Sequence, residues 1–258
     1  MFVDTHAHLT DKQFNQDIEE VIKKTEELGV KYVITSGFDL TSSLQAVEFA
    51  KNHKNVFASI GIYPEYANTL NDKILQELKD LARDEKVVAI GEIGLQFTSG
   101  AENKTEQENA FVKQLELAYS LKKPIVVHCR DAMGKMIELL KDNKEKLLYG
   151  GTMHCFNGSK ESAMEILNLG LHISVGGVST FKNASNLKEV LKFLPIEKIL
   201  LETDCPYLAP SPFRGKRNAP FYIPTIAENL AIIKNLSIEK VAEITFQNAV
   251  NLFKLEKN

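Results

Sequence analysis

The chain has 258 residues, 44% of them hydrophobic and 25% charged, ordinary values for a soluble globular protein with a large buried core. Its net charge of −3 provides no broad basic field, which argues against non-specific coating of nucleic acid but leaves room for a nuclease whose positive charge comes from metal ions. Three irregularly spaced cysteines speak against a disulfide framework, no basic-then-apolar leader precedes Asp4, and the apolar runs are too short to span a bilayer. The expectation is a cytoplasmic protein with no membrane association and no protein partner.

In chain order, short β-rich runs alternate with amphipathic stretches. The strand candidates are 2–8, 32–37, 56–63, 87–94, 124–130, 151–156, 172–177 and 199–204. Helical periodicity fills 15–29, 42–53, 74–85 and 107–122. In the first of these, Ile18, Val21, Ile22, Thr25 and Leu28 share a face, and Gly29 ends the helix. Asn71–Asp72 and Ser185–Asn186 are expected N-caps. Alternating strands and helices imply parallel pairing, and eight such units make a (β/α)8 TIM barrel, read here as one domain over 1–258. A doubly wound open sheet would need a Gly-rich phosphate turn after the first strand, where Thr5-His6-Ala7-His8 stands instead. A Pro-rich loop over 206–224 and extra C-terminal helices follow the eighth strand.

Acids and histidines fall at the strand ends. His6 and His8 end the first strand, Glu92 the fourth, His128 the fifth, His154 the sixth and Asp204 the eighth. The C-terminal strand ends form the active face of such barrels, so six metal-ligand types meet on one rim. His6 and His8, two apart, share a face of their strand. The bland alternative for them is a hydrogen-bonded pair near the barrel bottom; for Glu92 it is a salt bridge to Arg130 or a lysine. Glu202 is expected to bond structural groups deeper in the barrel. Cys129, Cys155 and Cys205 each follow a ligand candidate, so period two turns them outward as small apolar residues. His53 and His172 are read as structural.

The ordered motifs make the chain resemble the TatD-related deoxyribonucleases. They are Asp4-Thr5-His6-Ala7-His8-Leu9, Gly91-Glu92-Ile93-Gly94-Leu95, Val127-His128-Cys129-Arg130-Asp131-Ala132, His154-Cys155-Phe156-Asn157-Gly158-Ser159 and Leu201-Glu202-Thr203-Asp204-Cys205-Pro206. The resemblance implies a metal-dependent nuclease in which Glu92 bridges two divalent ions, one held by His6, His8 and Asp204 and the other by His128 and His154. Two departures stand out. The family's Gly-x-His-Pro-His is Gly61-Ile62-Tyr63-Pro64-Glu65 here, and its Gly-Leu-Asp is Gly94-Leu95-Gln96. Both bear on substrate and leave all six ligand positions intact.

The expected chemistry is hydrolysis of DNA phosphodiesters by a metal-activated water, from a strand end, with Asp204 and Glu92 as the catalytic carboxylates. Four histidines favour zinc, manganese, nickel or iron, and two carboxylates leave magnesium open. Tyr63 and Glu65 are expected to face substrate. Arg130 is a candidate phosphate clamp, its alternative being an ion pair with Asp131 or Glu161. Arg214 and Lys216, with Arg217, lie where they would meet a DNA backbone or simply stay solvated. No aromatic stacking ladder is visible in the sequence. Hydrolysis of another ester or amide is the rival chemistry; an inactive barrel used for binding would have lost ligands that are all present.

Overall fold

The computed structural model describes residues 1–98 and 103–256. Eight strands run in sequence order around one parallel sheet: β1 (Phe2–Ala7), β2 (Val30–Ser36), β3 (Val56–Ile60), β4 (Val87–Gln96), β5 (Ile125–Arg130), β6 (Gly151–Met153), β7 (His172–Val175) and β8 (Ile199–Leu201). Between them lie α1 (Ile18–Glu27), α2 (Leu40–Asn52), α3 (Asp72–Leu81), α4 (Lys104–Leu121), α5 (Met133–Asp142), α6 (Lys160–Asn168) and α7 (Ser185–Phe193). The last gap closes where the Asp204 amide donates to the His6 carbonyl at 2.9 Å and the His8 amide to Cys205 at 2.8 Å. The architecture is the expected (β/α)8 barrel. After β8 come α8 (Ile223–Lys234) and α9 (Ile238–Phe253).

Apolar residues fill two regions. One lies between the sheet and the helices and contains Phe14, Leu78, Phe111, Leu115 and Met136, all fully buried. The other joins Val3, Ile34, Val88, Val126 and Leu200 from the strands to Val250, Phe253 and Leu255, so the end of α9 covers the N-terminal end of the barrel. Each such side chain contributes about 1.5–3 kcal/mol on burial, enough to hold a rim of buried charge at the opposite end. No helix among the described residues is long and apolar enough to cross a membrane.

Local signals behave as their chemistry requires, with exceptions at the rim. Gly29 takes φ +81° after α1, and the Asn71 side chain accepts from the Ile74 amide at 3.0 Å to cap α3. The cap expected at Ser185–Asn186 is corrected: Ser185 is already helical, and Ala184 occupies the cap without a side-chain bond. The ends of β3, β6 and β8 at Ile60, Met153 and Leu201 come earlier than expected. Pro64 starts a 3-10 turn after β3, and the positive φ of Cys155 (45°) and Asp204 (57°) breaks the extended backbone. His154 and Asp204 therefore sit just past their strands, each still tied to the neighbouring strand by its amide, His154 to the Val127 carbonyl and Asp204 to that of His6.

Candidate metal centre

Glu92 is the centre of the rim. It is 4% exposed, and its two oxygens face different histidine pairs. Oε2 lies 3.4 Å from His6 Nε2 and 3.8 Å from His8 Nε2; Oε1 lies 2.8 Å from His128 Nδ1 and 3.3 Å from His154 Nε2. Asp204 Oδ1 stands 3.6 Å from His6 Nε2 and 3.4 Å from His8 Nε2. Donor atoms of His6, His8 and Asp204 converge closely enough to share one ion, as do those of His6, Glu92 and His154. All six residues expected from the strand ends are thus brought together.

Their neighbours decide which ring nitrogens face inward. His8 Nδ1 lies 3.1 Å from the Ser36 carbonyl, which only accepts, so that nitrogen carries a proton and Nε2 is the one turned to Asp204 and Glu92. Ser36 Oγ meets His6 Nδ1 at 3.1 Å and Ser59 Oγ at 2.8 Å. Behind His154, Glu202 Oε1 accepts from the Cys155 amide at 2.6 Å, and Oε2 from Ser174 Oγ at 2.6 Å. His154 Nδ1 is 3.3 Å from the same Oε1, within ion-pair distance but off the line of a hydrogen bond. His128 Nδ1 is buried with no hydrogen-bond partner among the described residues although Glu92 Oε1 is 2.8 Å away. A buried lone pair and a carboxylate oxygen at that distance fit a cation between them.

The electrostatics agree. Burial pushes the Glu92 carboxyl up, but His154, His128 and His6 outweigh it and hold the group well below its usual range. Burial likewise opposes the charged form of His154, which Glu202 and Glu92 raise well above the ordinary histidine value. Burial and the neighbouring His154 lower His6. Such opposed shifts within one buried cluster mark a functional site.

Several supporting residues escaped the sequence reading. Ser36 is one; its position at the end of β2 was the available signal. Asp4 is another: its Oδ1 accepts from the Thr203 amide at 2.9 Å and its Oδ2 from Thr203 Oγ1 at 2.5 Å, tying β1 to the turn that carries Asp204. Burial raises its pKa to about 8 despite the bonds from Thr203. Gly94, at φ +151°, runs so close to the His128 carbonyl that no side chain would fit, which lets β4 and β5 bring Glu92 and His128 together.

Two clefts flank the cluster. The first, about 380 Å³, is walled by Phe38, Tyr63, Tyr66 and Tyr207, with Glu65 and Arg130 at its border. Phe38 and Tyr66 stack at 6.0 Å between centroids. These aromatics come from three segments, so no ladder could show in the sequence. The second cleft, about 650 Å³, extends from His128 and His154 past Cys129, Arg130, Met133 and Cys155. Of the three cysteines expected to be buried against the helix layer, Cys205 lies in the core, whereas Cys129 and Cys155 are half-buried and line this cleft, Cys155 at a positive φ that breaks the period-two alternation. Arg130 is exposed and pairs with neither Asp131 nor Glu161 among the described residues. Arg214 and Lys216 are exposed and line neither cleft; Arg214 covers the Phe181 ring. Arg217 binds Asp17 with both guanidinium nitrogens, at 2.8 and 2.5 Å. His53 bonds the Phe49 carbonyl at 2.8 Å, as a structural histidine should.

Imidazoles and carboxylates at the ends of parallel barrel strands define a metal-dependent hydrolase. The chain belongs to the TatD related DNase family, whose pattern it matches over residues 3–254. It is 41% identical over 255 residues to the uncharacterized metal-dependent hydrolase YabD of Bacillus subtilis, covering 99% of this chain and 100% of that protein. It is 35% identical to the 3'-5' ssDNA/RNA exonuclease TatD of Klebsiella pneumoniae, covering 99% of this chain and 98% of the relative. The crystal structure of YJJV, a TatD homologue from Escherichia coli K12, superposes with a TM-score of 0.93 at 29% identity, with 98% of each chain covered.

Proposed function

We propose that the enzyme hydrolyses phosphodiester bonds of single-stranded DNA from an end, using two divalent ions. The observation that carries this reading is the division of Glu92, with Oε2 facing the His6–His8 pair and Oε1 the His128–His154 pair. His6, His8 and Asp204 would hold one ion, His128 and His154 the other, with Glu92 shared. Zinc, manganese, nickel or iron suit four imidazoles best, and magnesium suits the carboxylates. Ions bound there would supply a water of lowered pKa and neutralise phosphate charge.

The chain's own groups do the rest. Asp204, with Oδ1 turned to His6 and His8, would orient the attacking water and receive its proton through its spare oxygen. Arg130, in no ion pair among the described residues and bordering both clefts, pairs with the phosphate oxygens. Phe38, Tyr66 and Tyr207 offer ring faces on which a base at the strand end stacks, about 1–3 kcal/mol for each base. The exonuclease activity named for the Klebsiella relative supports the choice of substrate. One observation favours another ester or amide instead: exposed Glu65 sets a negative charge at the mouth of the first cleft.

The test is cleavage of end-labelled single-stranded DNA by protein stripped of metal and then titrated with magnesium, manganese or zinc. Metal-dependent shortening from one end, abolished in His128→Ala, is expected. Stoichiometric metal uptake with no cleavage would move the substrate to another ester.

A further inference from the structure

A line of short hydrogen bonds runs from the surface to His128. Glu65 Oε1 accepts from Gln96 Nε2 at 2.5 Å, and the Tyr63 hydroxyl lies 2.5 Å from Gln96 Oε1. His128 Nε2 is 3.1 Å from both the Tyr63 hydroxyl and Gln96 Oε1. Glu65 is exposed, Gln96 is buried, and Tyr63 and His128 are half-buried.

Proton counting along this line leaves one arrangement. A carboxylate has no proton to give, so the Gln96 amide must turn its NH2 end to Glu65. Its Oε1 then faces Tyr63 and His128 as an acceptor only. Two oxygens 2.5 Å apart share one proton, and the phenol is the only one of the two that has it. Both groups beside His128 Nε2 are therefore acceptors, and Nε2 must carry the ring proton. Nδ1 is left with its lone pair, 2.8 Å from Glu92 Oε1 and without a hydrogen bond.

We infer that Glu65, acting through Gln96, is a positioning residue that holds His128 in the Nε2–H tautomer and so keeps its Nδ1 lone pair free for a metal ion beside Glu92. The inference rests on the reading of His128 as a metal ligand. Gln96 alone does not determine the tautomer, because its amide fits either way round. Flipped, its NH2 would donate toward His128 Nε2, the ring proton would move to Nδ1, and Nδ1–H would bond Glu92 in place of a metal. The charge on Glu65 excludes that flip. An exposed carboxylate thus sets the ligand state of a histidine at the centre of the site.

The test uses the full chain with 15N-labelled histidine. Long-range 1H–15N correlation on the metal-free protein reads the His128 tautomer, and zinc alone, titrated against a competing chelator, reads affinity. Wild type is expected in the Nε2–H form. In Glu65→Ala and Gln96→Leu the Nδ1–H form gains population, and one zinc site weakens roughly 10–100-fold. Glu65 is on the surface, so its substitution leaves folding intact. The exchanged pair Glu65→Gln with Gln96→Glu puts an acceptor at 96 and a donor at 65, and restores both tautomer and affinity. An unchanged tautomer and zinc affinity in Glu65→Ala, or an exchanged pair no better than the single variants, overturns the inference. His128→Ala separates the two levels. If it loses a zinc while Glu65→Ala and Gln96→Leu do not, the positioning role alone fails. If it binds zinc as wild type does, the ligand reading fails and the inference with it.

Discussion

On the Oε2 side of Glu92, His6 and His8 lean on a single residue of β2, through the Ser36 hydroxyl and the Ser36 carbonyl. On the Oε1 side, His154 stands before the carboxylate of Glu202, and His128 before Gln96 and Tyr63. A backbone carbonyl belongs to the barrel wall whatever side chain is present. A buried carboxylate or amide is a choice of sequence, and it brings charge or a flip with it. His8 is therefore held by the fold itself and His6 by one small hydroxyl, while the second pair is open to adjustment by neighbouring substitutions. Tyr63, Glu65 and Gln96 all lie on that second side.

Substitution of the shared carboxylate removes the comparison altogether. Glu92→Gln keeps the shape but loses the charge that both pairs face. Metal stoichiometry is expected to fall, with kcat/KM lower by on the order of 10³-fold, read by metal analysis beside steady-state kinetics. Metal content and rate equal to wild type would show that the two pairs do not meet through Glu92. Glu202→Gln reaches only the second pair: a zinc titration should show one site weakened roughly 10–100-fold and the other unchanged. Equal weakening of both sites would mean that the halves are coupled through the barrel.

Ser36→Ala is the matching experiment on the first side. The carbonyl that holds His8 stays, and only the hydroxyl bonding His6 and Ser59 is lost, so about 1 kcal/mol of stability and roughly tenfold in affinity are expected. A loss as large as that of Glu202→Gln would contradict the idea that the barrel wall does most of the holding. The smallest effect lies below the rim. Burial and the neighbouring Lys198 lower the His172 pKa from 6.5 to about 4, so the fold holds this ring neutral. The unfolded chain takes up the proton first, so His172's contribution is full above pH 6.5 and is lost as pH falls toward 4. By pH 5 this amounts to about 1 kcal/mol after allowance for solvent at the half-buried ring, or about 2 °C in Tm. His172→Gln should remove that part of the acid sensitivity in thermal melts at pH 7.5 and 5. A pH dependence that survives the substitution would belong to the rim.

Much of this was legible from order and period. The eight strand-and-helix units, the shared face of His6 and His8, and the gathering of Glu92, His128, His154 and Asp204 on one rim follow from local pattern joined to the rule that barrel sites lie at C-terminal strand ends, although β4 runs on past Glu92 to Gln96 and β5 past His128 to Arg130. Local pattern failed where the backbone leaves regular geometry, as at Cys155, or where helix entry shifted by a residue, as at Ser185.

What the sequence determined by itself was the class of fold and the kinds of ligand, because alternation and residue chemistry are local and survive without knowledge of neighbours. Tertiary structure alone decided the remainder. It brought Phe38, Tyr66 and Tyr207 to one mouth, paired Arg217 with Asp17, placed Ser36 behind two histidines, and linked Glu65 through Gln96 to His128. Each of these joins segments far apart in the chain, and the direction of a hydrogen bond between them depends on distances of 2.5 to 3.1 Å that only closure of the barrel sets.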